Sequence, residues 1–525
     1  MSYPTNLAAI AHNLSNRQVR RIFVSLENQA EALKQLGRSG LGIVGVSSPQ
    51  AAVEMAATTG TLTKAPGVCL LNSLDDVCNV SGQLIRCHEE GRQLIVLVLD
   101  QANNVGAVAD RTQKRMALLA TLGLNVRELD AQSQGQDFSL FLRTLDESRP
   151  KPVIVRLQKD WLEQSALGRL GDVYPLPRQQ PVLSEVRTLA ELLKEKHLPV
   201  LLVGGDCLNE ELVRALGFFV EEYNVPVLTT LEAKGVLAET SKNALGIVGG
   251  REDIDVLQKA FLAKADSILC LGLSRPELPA SWDKMVFGAR PVVSLGPKSP
   301  MHLPISFKQI LLGDPAFCLR ALPNYLADYR AGWTSDEVQE HHRLSKETMA
   351  DVEAEKSTAM HDVLAHLPKE FLAGATMVCG LEDALCGLAH LWQSQGVRRL
   401  LTPKSGQFSG STFYTAIAAK IQDPDRKTIV FTSPKEFFSG LDNLGLAVKS
   451  RGKLVVFLVD LEKGDDASSP RASAYPRFDS LSLEDVRTCV ESLGGKFIRA
   501  QKSANLAELL EDVEDDKFVI SSVVF

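Results

Sequence analysis

The segment Ser184-Glu-Val-Arg-Thr-Leu-Ala-Glu-Leu-Leu-Lys-Glu-Lys-His197, followed after two residues by Val200-Leu-Leu-Val-Gly-Gly205, sets the fold class. The first part has the amphipathic period of a helix, and the second is an apolar run of strand length. The same alternation repeats from end to end, the pattern of α/β domains with mostly parallel sheets. Upstream, strands are expected at Arg21-Ile-Phe-Val-Ser, Leu41-Gly-Ile-Val-Gly-Val, Gly67-Val-Cys-Leu-Leu, Leu94-Ile-Val-Leu-Val-Leu and Lys151-Pro-Val-Ile-Val-Arg, with helices over 50–59 and 111–122. Downstream, they are expected at Val225-Pro-Val-Leu, Ser267-Ile-Leu-Cys-Leu-Gly, Arg290-Pro-Val-Val-Ser-Leu and Lys308-Gln-Ile-Leu-Leu-Gly. The last third adds Val397-Arg-Arg-Leu-Leu, Lys427-Thr-Ile-Val-Phe, Leu454-Val-Val-Phe-Leu-Val, Lys496-Phe-Ile-Arg-Ala and Phe518-Val-Ile-Ser-Ser-Val-Val, with a helix over 381–395.

Three consecutive doubly wound units follow from this count. The Pro-rich stretch Val173-Tyr-Pro-Leu-Pro-Arg-Gln-Gln-Pro reads as a linker. The boundaries drawn are 1–175, 183–333, a charged helical connector at 334–367, and 368–525. The Gly204-Gly205 strand end makes the second unit Rossmann-like, although Val203-Gly-Gly-Asp-Cys-Leu is not a GxGxxG. In the connector, His341-His342 reads as solvated surface, because adjacent residues do not share a helix face for a metal.

Composition excludes several classes. With 45% hydrophobic and 23% charged residues the chain is globular, and a net charge of −7 gives no basic footprint for nucleic acid or an anionic membrane. No apolar run reaches membrane-spanning length. The nine cysteines form no CxxC pair and no zinc spacing, so buried, reduced thiols are expected. Met1-Ser-Tyr-Pro-Thr lacks the charged and apolar regions of a secretory signal, and the cytoplasm is the expected compartment.

Three stretches carry a family likeness. They are Gln50-Ala-Ala-Val-Glu-Met-Ala with Thr63-Lys-Ala-Pro-Gly-Val-Cys; Pro226-Val-Leu-Thr-Thr-Leu-Glu-Ala-Lys-Gly-Val-Leu-Ala-Glu with Leu245-Gly-Ile-Val-Gly-Gly; and Phe413-Tyr-Thr-Ala-Ile-Ala-Ala-Lys-Ile-Gln-Asp-Pro-Asp-Arg. In this order and spacing the chain resembles the thiamine-diphosphate (ThDP) enzymes of the acetolactate synthase, pyruvate decarboxylase and indolepyruvate decarboxylase type. The resemblance implies a pyrimidine-type domain, a central Rossmann-like domain and a diphosphate-type domain. It also implies an oligomer in which first- and third-domain faces of two subunits meet.

The positions that the resemblance assigns to the cofactor have changed. The Gly-Asp-Gly turn becomes Ser433-Pro434-Lys435, so a proline stands where a metal-binding aspartate belongs. The asparagine pair becomes Asp460-Leu461. The glutamate that activates the pyrimidine ring becomes Pro49, and Glu54, one helical turn on, reads as surface. Ser73-Leu74-Asp75-Asp76 and Val24-Ser-Leu-Glu27 replace two glycine-containing turns. These changes predict no ThDP, no magnesium and no catalytic residue; Leu273-Ser-Arg-Pro-Glu predicts no FAD.

No Gly-x-Ser-x-Gly elbow, Walker loop or His-Glu-x-x-His takes their place. Lys404, Ser405 and Gly406, with Lys435 and the loop Ser409–Thr412, are candidate anion contacts, against a plain strand-to-helix turn. Three functional expectations follow. The first is a non-catalytic partner or scaffold forming a homodimer or tetramer, or pairing with an active relative. The second is an enzyme reassigned to a small anionic ligand, and the third an atypical ThDP-dependent C–C lyase or synthase.

Overall fold

In the computed structural model, residues 5–25, 36–63, 65–100, 107–130, 133, 135–146, 152–158, 161–162, 164–165, 178–249, 252–274, 277–300, 303, 305–355, 366–380, 389–403, 409–459, 483–500 and 518–523 are described. They form three six-stranded, wholly parallel sheets, the doubly wound α/β architecture expected.

The first sheet holds β1 (Arg21–Ser25), β2 (Gly42–Val46), β3 (Gly67–Leu71), β4 (Leu94–Asp100), β5 (Val126–Leu129) and β6 (Val153–Gln158), in the order β2-β1-β3-β4-β6-β5. The third holds β13 (Thr376–Cys379), β14 (Leu400–Leu401), β15 (Thr428–Thr432), β16 (Leu454–Val459), β17 (Lys496–Ala500) and β18 (Phe518–Val523), in the order β14-β13-β15-β16-β18-β17. Counted from its own first strand, each of these sheets has the same strand order. Strands such as β3 and β16 are continuous runs of apolar residues because helices cover both faces.

The central sheet holds β7 (Pro199–Val203), β8 (Val227–Thr230), β9 (Ala244–Val248), β10 (Ser267–Leu271), β11 (Val292–Gly296) and β12 (Gln309–Leu312), ordered β12-β11-β10-β7-β8-β9. This is the 3-2-1-4-5-6 order of dinucleotide-type domains read from its other edge, with its reversal between β7 and β10. At that reversal Gly272 has φ +61°, and a Cβ there would meet the Cys207 sulfur.

The helix Pro49–Thr63 is buried along most of its length rather than on one stripe. One side lies on the first sheet; the other meets the helix Ser411–Gln422 of the third domain, so the two domains share one apolar core. Phe413, Ile417, Ala52 and Ala56 belong to that core, each fully buried. The connector contains the helix Ser335–Glu355, and it is not simply solvated: His341 is only 5% exposed. Its Nε2 donates to the Leu245 carbonyl at 3.1 Å, and its ring sits 5.0 Å from that of Phe261.

None of the eight described cysteines is in a disulfide, and six of them are buried, while Cys386 lies outside the described residues. No described helix is long and apolar enough to cross a membrane.

Candidate functional site

The seam between the first and third domains contains the positions that the sequence singles out. Pro49 opens the helix Pro49–Thr63, a place where a missing N–H does no harm. Just before it, the Ser47 backbone N–H donates to Asn443 Oδ1 at 3.1 Å, and Asn443 Nδ2 donates to Ser47 Oγ at 2.6 Å. Ser47 Oγ in turn donates to Asp442 Oδ2 at 2.5 Å, and the Tyr414 hydroxyl donates to Asp442 Oδ1 at 3.0 Å. Burial, with Asp442 beside it, pushes the Tyr414 phenol well above its ordinary range.

Glu54 is not on the surface. It is 1% exposed and bonded to Arg86, with Arg92 at 3.8 Å and the Thr415 hydroxyl donating to it at 3.4 Å. The cause is the second helix: a side chain one turn past Pro49 points into the domain seam, where only a paired charge is tolerated. Glu54 is therefore held as an ion pair inside the seam, away from the head of the helix.

In the third domain, Ser433 caps the short helix Pro434–Phe438 and accepts the N–H of Glu436 at 3.2 Å. Lys435 is exposed. The half-buried Glu436 accepts from the Thr412 N–H and Ser411 hydroxyl, both at 3.3 Å, and from the Thr412 hydroxyl at 3.4 Å. The polar loop Ser409–Thr412 thus directs its donors at an internal carboxylate. Burial raises the Glu436 pKa, while these hydrogen bonds act in the opposite direction. The sequence carries a signal for this turn, since Ser433-Pro-Lys-Glu436 has the spacing of a capping box. Lys404, Ser405, Gly406, Asp460 and Leu461 lie outside the described residues, as do Leu26 and Glu27.

Of the altered glycine turns, Ser73 caps the helix Leu74–Asn79, Asp76 accepts the Asn72 N–H at 3.0 Å, and Asp75 is paired with Arg115. Leu74 is buried. Among the described residues no cluster of three or more His, Cys, Asp or Glu side chains is placed to hold a metal.

A cleft of about 400 Å³ opens where all three domains meet, at the C-terminal ends of the central strands. Arg92, Arg178, Lys298 and Arg398 contribute to its wall, with Glu90, Asp206 and Asp314 among them. Arg398 has φ +59°, uncommon for a residue with a Cβ, and donates to the Thr61 carbonyl at 2.6 Å. The sequence alone gives no hint of this cleft, because its wall is drawn from nine separated stretches of the chain.

Comparison with known proteins finds two matching family models. "Thiamine pyrophosphate enzyme, N-terminal TPP binding domain" matches residues 5–119, and "Thiamine pyrophosphate enzyme, central domain" matches residues 186–297. The chain is 24% identical over 352 residues to a probable acetolactate synthase large subunit of Methanococcus aeolicus, covering 59% of this chain and 56% of that one. It is 20% identical over 498 residues to an acetolactate synthase of Bacillus subtilis, covering 90% of this chain and 84% of that one. It is 24% identical to human 2-hydroxyacyl-CoA lyase 1 over 279 residues, or 50% of this chain and 47% of that one. The chain therefore spans little more than half the length of the first of these relatives and most of the second.

These matches correct the expectation of no cofactor. Two domain models defined by thiamine pyrophosphate, and relatives of acetolactate synthase type, point to a family that normally binds ThDP with magnesium. Replaced residues at a few motif positions do not by themselves remove a ligand from a fold that is otherwise kept. The described turn itself fits magnesium poorly: Pro434 offers no oxygen from its side chain, and the Ser433 hydroxyl already accepts from Glu436. Asp460, the other position assigned to the ion, is outside the described residues.

Proposed function

This chain belongs to the thiamine pyrophosphate enzyme family, and from that premise we propose that it acts as a non-catalytic member, an oligomeric partner or regulatory subunit. One observation carries the reading. The position of the activating glutamate is Pro49, and the nearest carboxylate on that helix, Glu54, is neutralised by Arg86 and Arg92 inside the domain seam. A general acid must reach the reacting group, and a carboxylate engaged by two guanidiniums inside the domain seam is turned away from any open cleft. The proposal concerns turnover, not whether a cofactor is held.

The partner is a second copy of this chain, as a homodimer or tetramer through first- and third-domain faces, or an active member of the family. Leu118 and Leu122, exposed at the end of the helix Ala107–Thr121, give the first domain apolar surface for such a contact. One relative is itself named as a large subunit. The lack of disulfides among the described cysteines suits a reducing compartment, and we place the protein in the cytoplasm.

The test is release of labelled carbon dioxide from pyruvate by the purified chain, with ThDP and magnesium in excess. Mass measurement of the native assembly accompanies it. No turnover together with a stable oligomer is expected; turnover at ordinary enzymatic rates would overturn the reading.

A second reading has its own support. The names of the relatives favour an atypical ThDP-dependent C–C synthase or lyase, and the same experiment decides for it. A third is an enzyme with reassigned chemistry on a small anionic ligand in the old cofactor cleft between subunits, where the exposed Lys435 supplies a cation.

A further inference from the structure

A second cleft, of about 360 Å³, lies between the edge strand β9, the helix Ser335–Glu355 and residues 389–393 of the third domain. That volume is at the lower end of small-molecule sites. Its floor includes Ile254 and its outer wall Met349, both apolar. One end holds Gln258, which is 1% exposed. Gln258 Nε2 donates to the Leu245 carbonyl at 3.1 Å, which fixes the amide so that Oε1 is an acceptor. Among the described residues Oε1 has no donor, and the buried Ser345 hydroxyl has no partner either. A buried acceptor left unmade costs about 1–3 kcal/mol, so the site is built to receive a donor.

Charge separates the two ends of the cleft. Lys234 is buried and paired with Glu239 at 2.7 Å, so neither leaves much net charge for a ligand. Lys346, on the helix wall, is exposed and stands at the mouth. The occupant therefore needs a hydrogen-bond donor for Gln258 and Ser345, a short apolar body, and an anionic group for Lys346. We propose that this cleft binds a small aliphatic carboxylic acid that carries an amino or hydroxyl donor. A carboxylate at Lys346 keeps most of its hydration, while the donor end is desolvated against Gln258, so the donor gives the greater discrimination.

Binding to the full chain by saturation-transfer NMR and calorimetry tests this with four probes: 6-aminohexanoate, 6-hydroxyhexanoate, hexanoate and hexylamine. At least one of the first two should bind saturably below about 1 mM. Hexanoate, lacking the donor, and hexylamine, lacking the carboxylate, should each be weaker by on the order of tenfold. Whichever of the first pair binds tighter identifies the donor as amino or hydroxyl. Ser345→Leu, which fills the cleft from the helix side, should abolish binding, and Lys346→Glu should weaken it by about tenfold. If Ser345→Leu fails to fold, the exposed Lys346→Glu decides alone. A cleft that holds only water would show no saturable binding up to about 10 mM, which overturns the proposal. Affinity unchanged in Lys346→Glu, or hexanoate binding as well as both donor-bearing acids, does the same.

Discussion

Ser47 and Asn443 are joined by two hydrogen bonds, one in each direction, between the residue two before Pro49 and the third domain of the same chain. Asn443 is buried and also donates to Asp442 Oδ1 at 3.0 Å. One amide thus holds the entrance of the first-domain helix in register with the third domain. Asn443→Ala should destabilise the chain by about 1–3 kcal/mol, because the Ser47 N–H loses its acceptor at a partly buried seam. The urea midpoint checks the magnitude. Hydrogen exchange of the amides just after Ser47 should quicken more than that of the central sheet; a uniform change would count against a local tie.

Glu54 provides a second test of the seam. Glu54→Ala leaves Arg86 and Arg92 in the interior with a partner removed, and a loss of about 3–5 kcal/mol is expected. Adding Arg86→Leu should recover part of that loss, since removing both charges also removes a desolvation cost. Denaturant unfolding of the two single variants and the double variant measures the coupling. Strict additivity would mean that the pair contributes nothing specific.

Glu436 makes stability depend on pH in a defined direction. Burial raises its folded pKa above the unfolded value, so the folded chain binds the proton more tightly. That contribution is fully present below the ordinary glutamate range and is lost as pH rises through the raised folded pKa. Glu436→Gln removes the titration but keeps an acceptor for the Thr412 N–H. Relative to wild type, the glutamine variant should therefore gain melting temperature as pH rises from about 4 to neutrality. A difference that stays constant over that window would show that the hydrogen bonds cancel burial, and one that runs the other way that they outweigh it.

The sequence makes the frame legible because parallel strands covered on both faces are unbroken apolar runs, as in Leu94–Leu99 and Leu454–Val459. It fails where that rule is weakest. β5 is an edge strand with Arg127 and Glu128 in its middle, β9 is an edge strand interrupted by Gly246, and β13 has only four residues, so all three pass as loop. Glu54 was assigned to the surface because one carboxylate in a helix usually faces water. The neighbouring Ala51, Ala52, Ala56 and Ala57 carry the better signal, a helix apolar on every side and hence enclosed. The cofactor positions were legible as residue types, but replaced motifs were over-read as an absent ligand. The helix 381–395 falls largely outside the described residues.

Gly235, in the Lys-Gly pair of the central domain, shows what such a short motif secures. It has φ +80°, and a Cβ there would come within 2.3 Å of the Gly396 carbonyl oxygen and 2.7 Å of the Ser394 hydroxyl. Backbone of the central domain is therefore packed directly on backbone of the third, a contact that any side chain would force apart. Left-handed φ alone makes a residue with a Cβ unfavourable by about 1–3 kcal/mol, and the clash adds to that. Gly217, inside the helix Glu210–Tyr223, is the matched control, because a Cβ there meets nothing within 4 Å. Gly217→Ala should stabilise by about 0.5–1 kcal/mol through helix propensity and a less free unfolded chain. Gly235→Ala should lower the melting temperature, with the central and third domains separating before either sheet unfolds. Limited proteolysis near residues 394–399 would report that order of events. Equal melting temperatures for the two alanine variants would mean that the domains are not in backbone contact at Gly235.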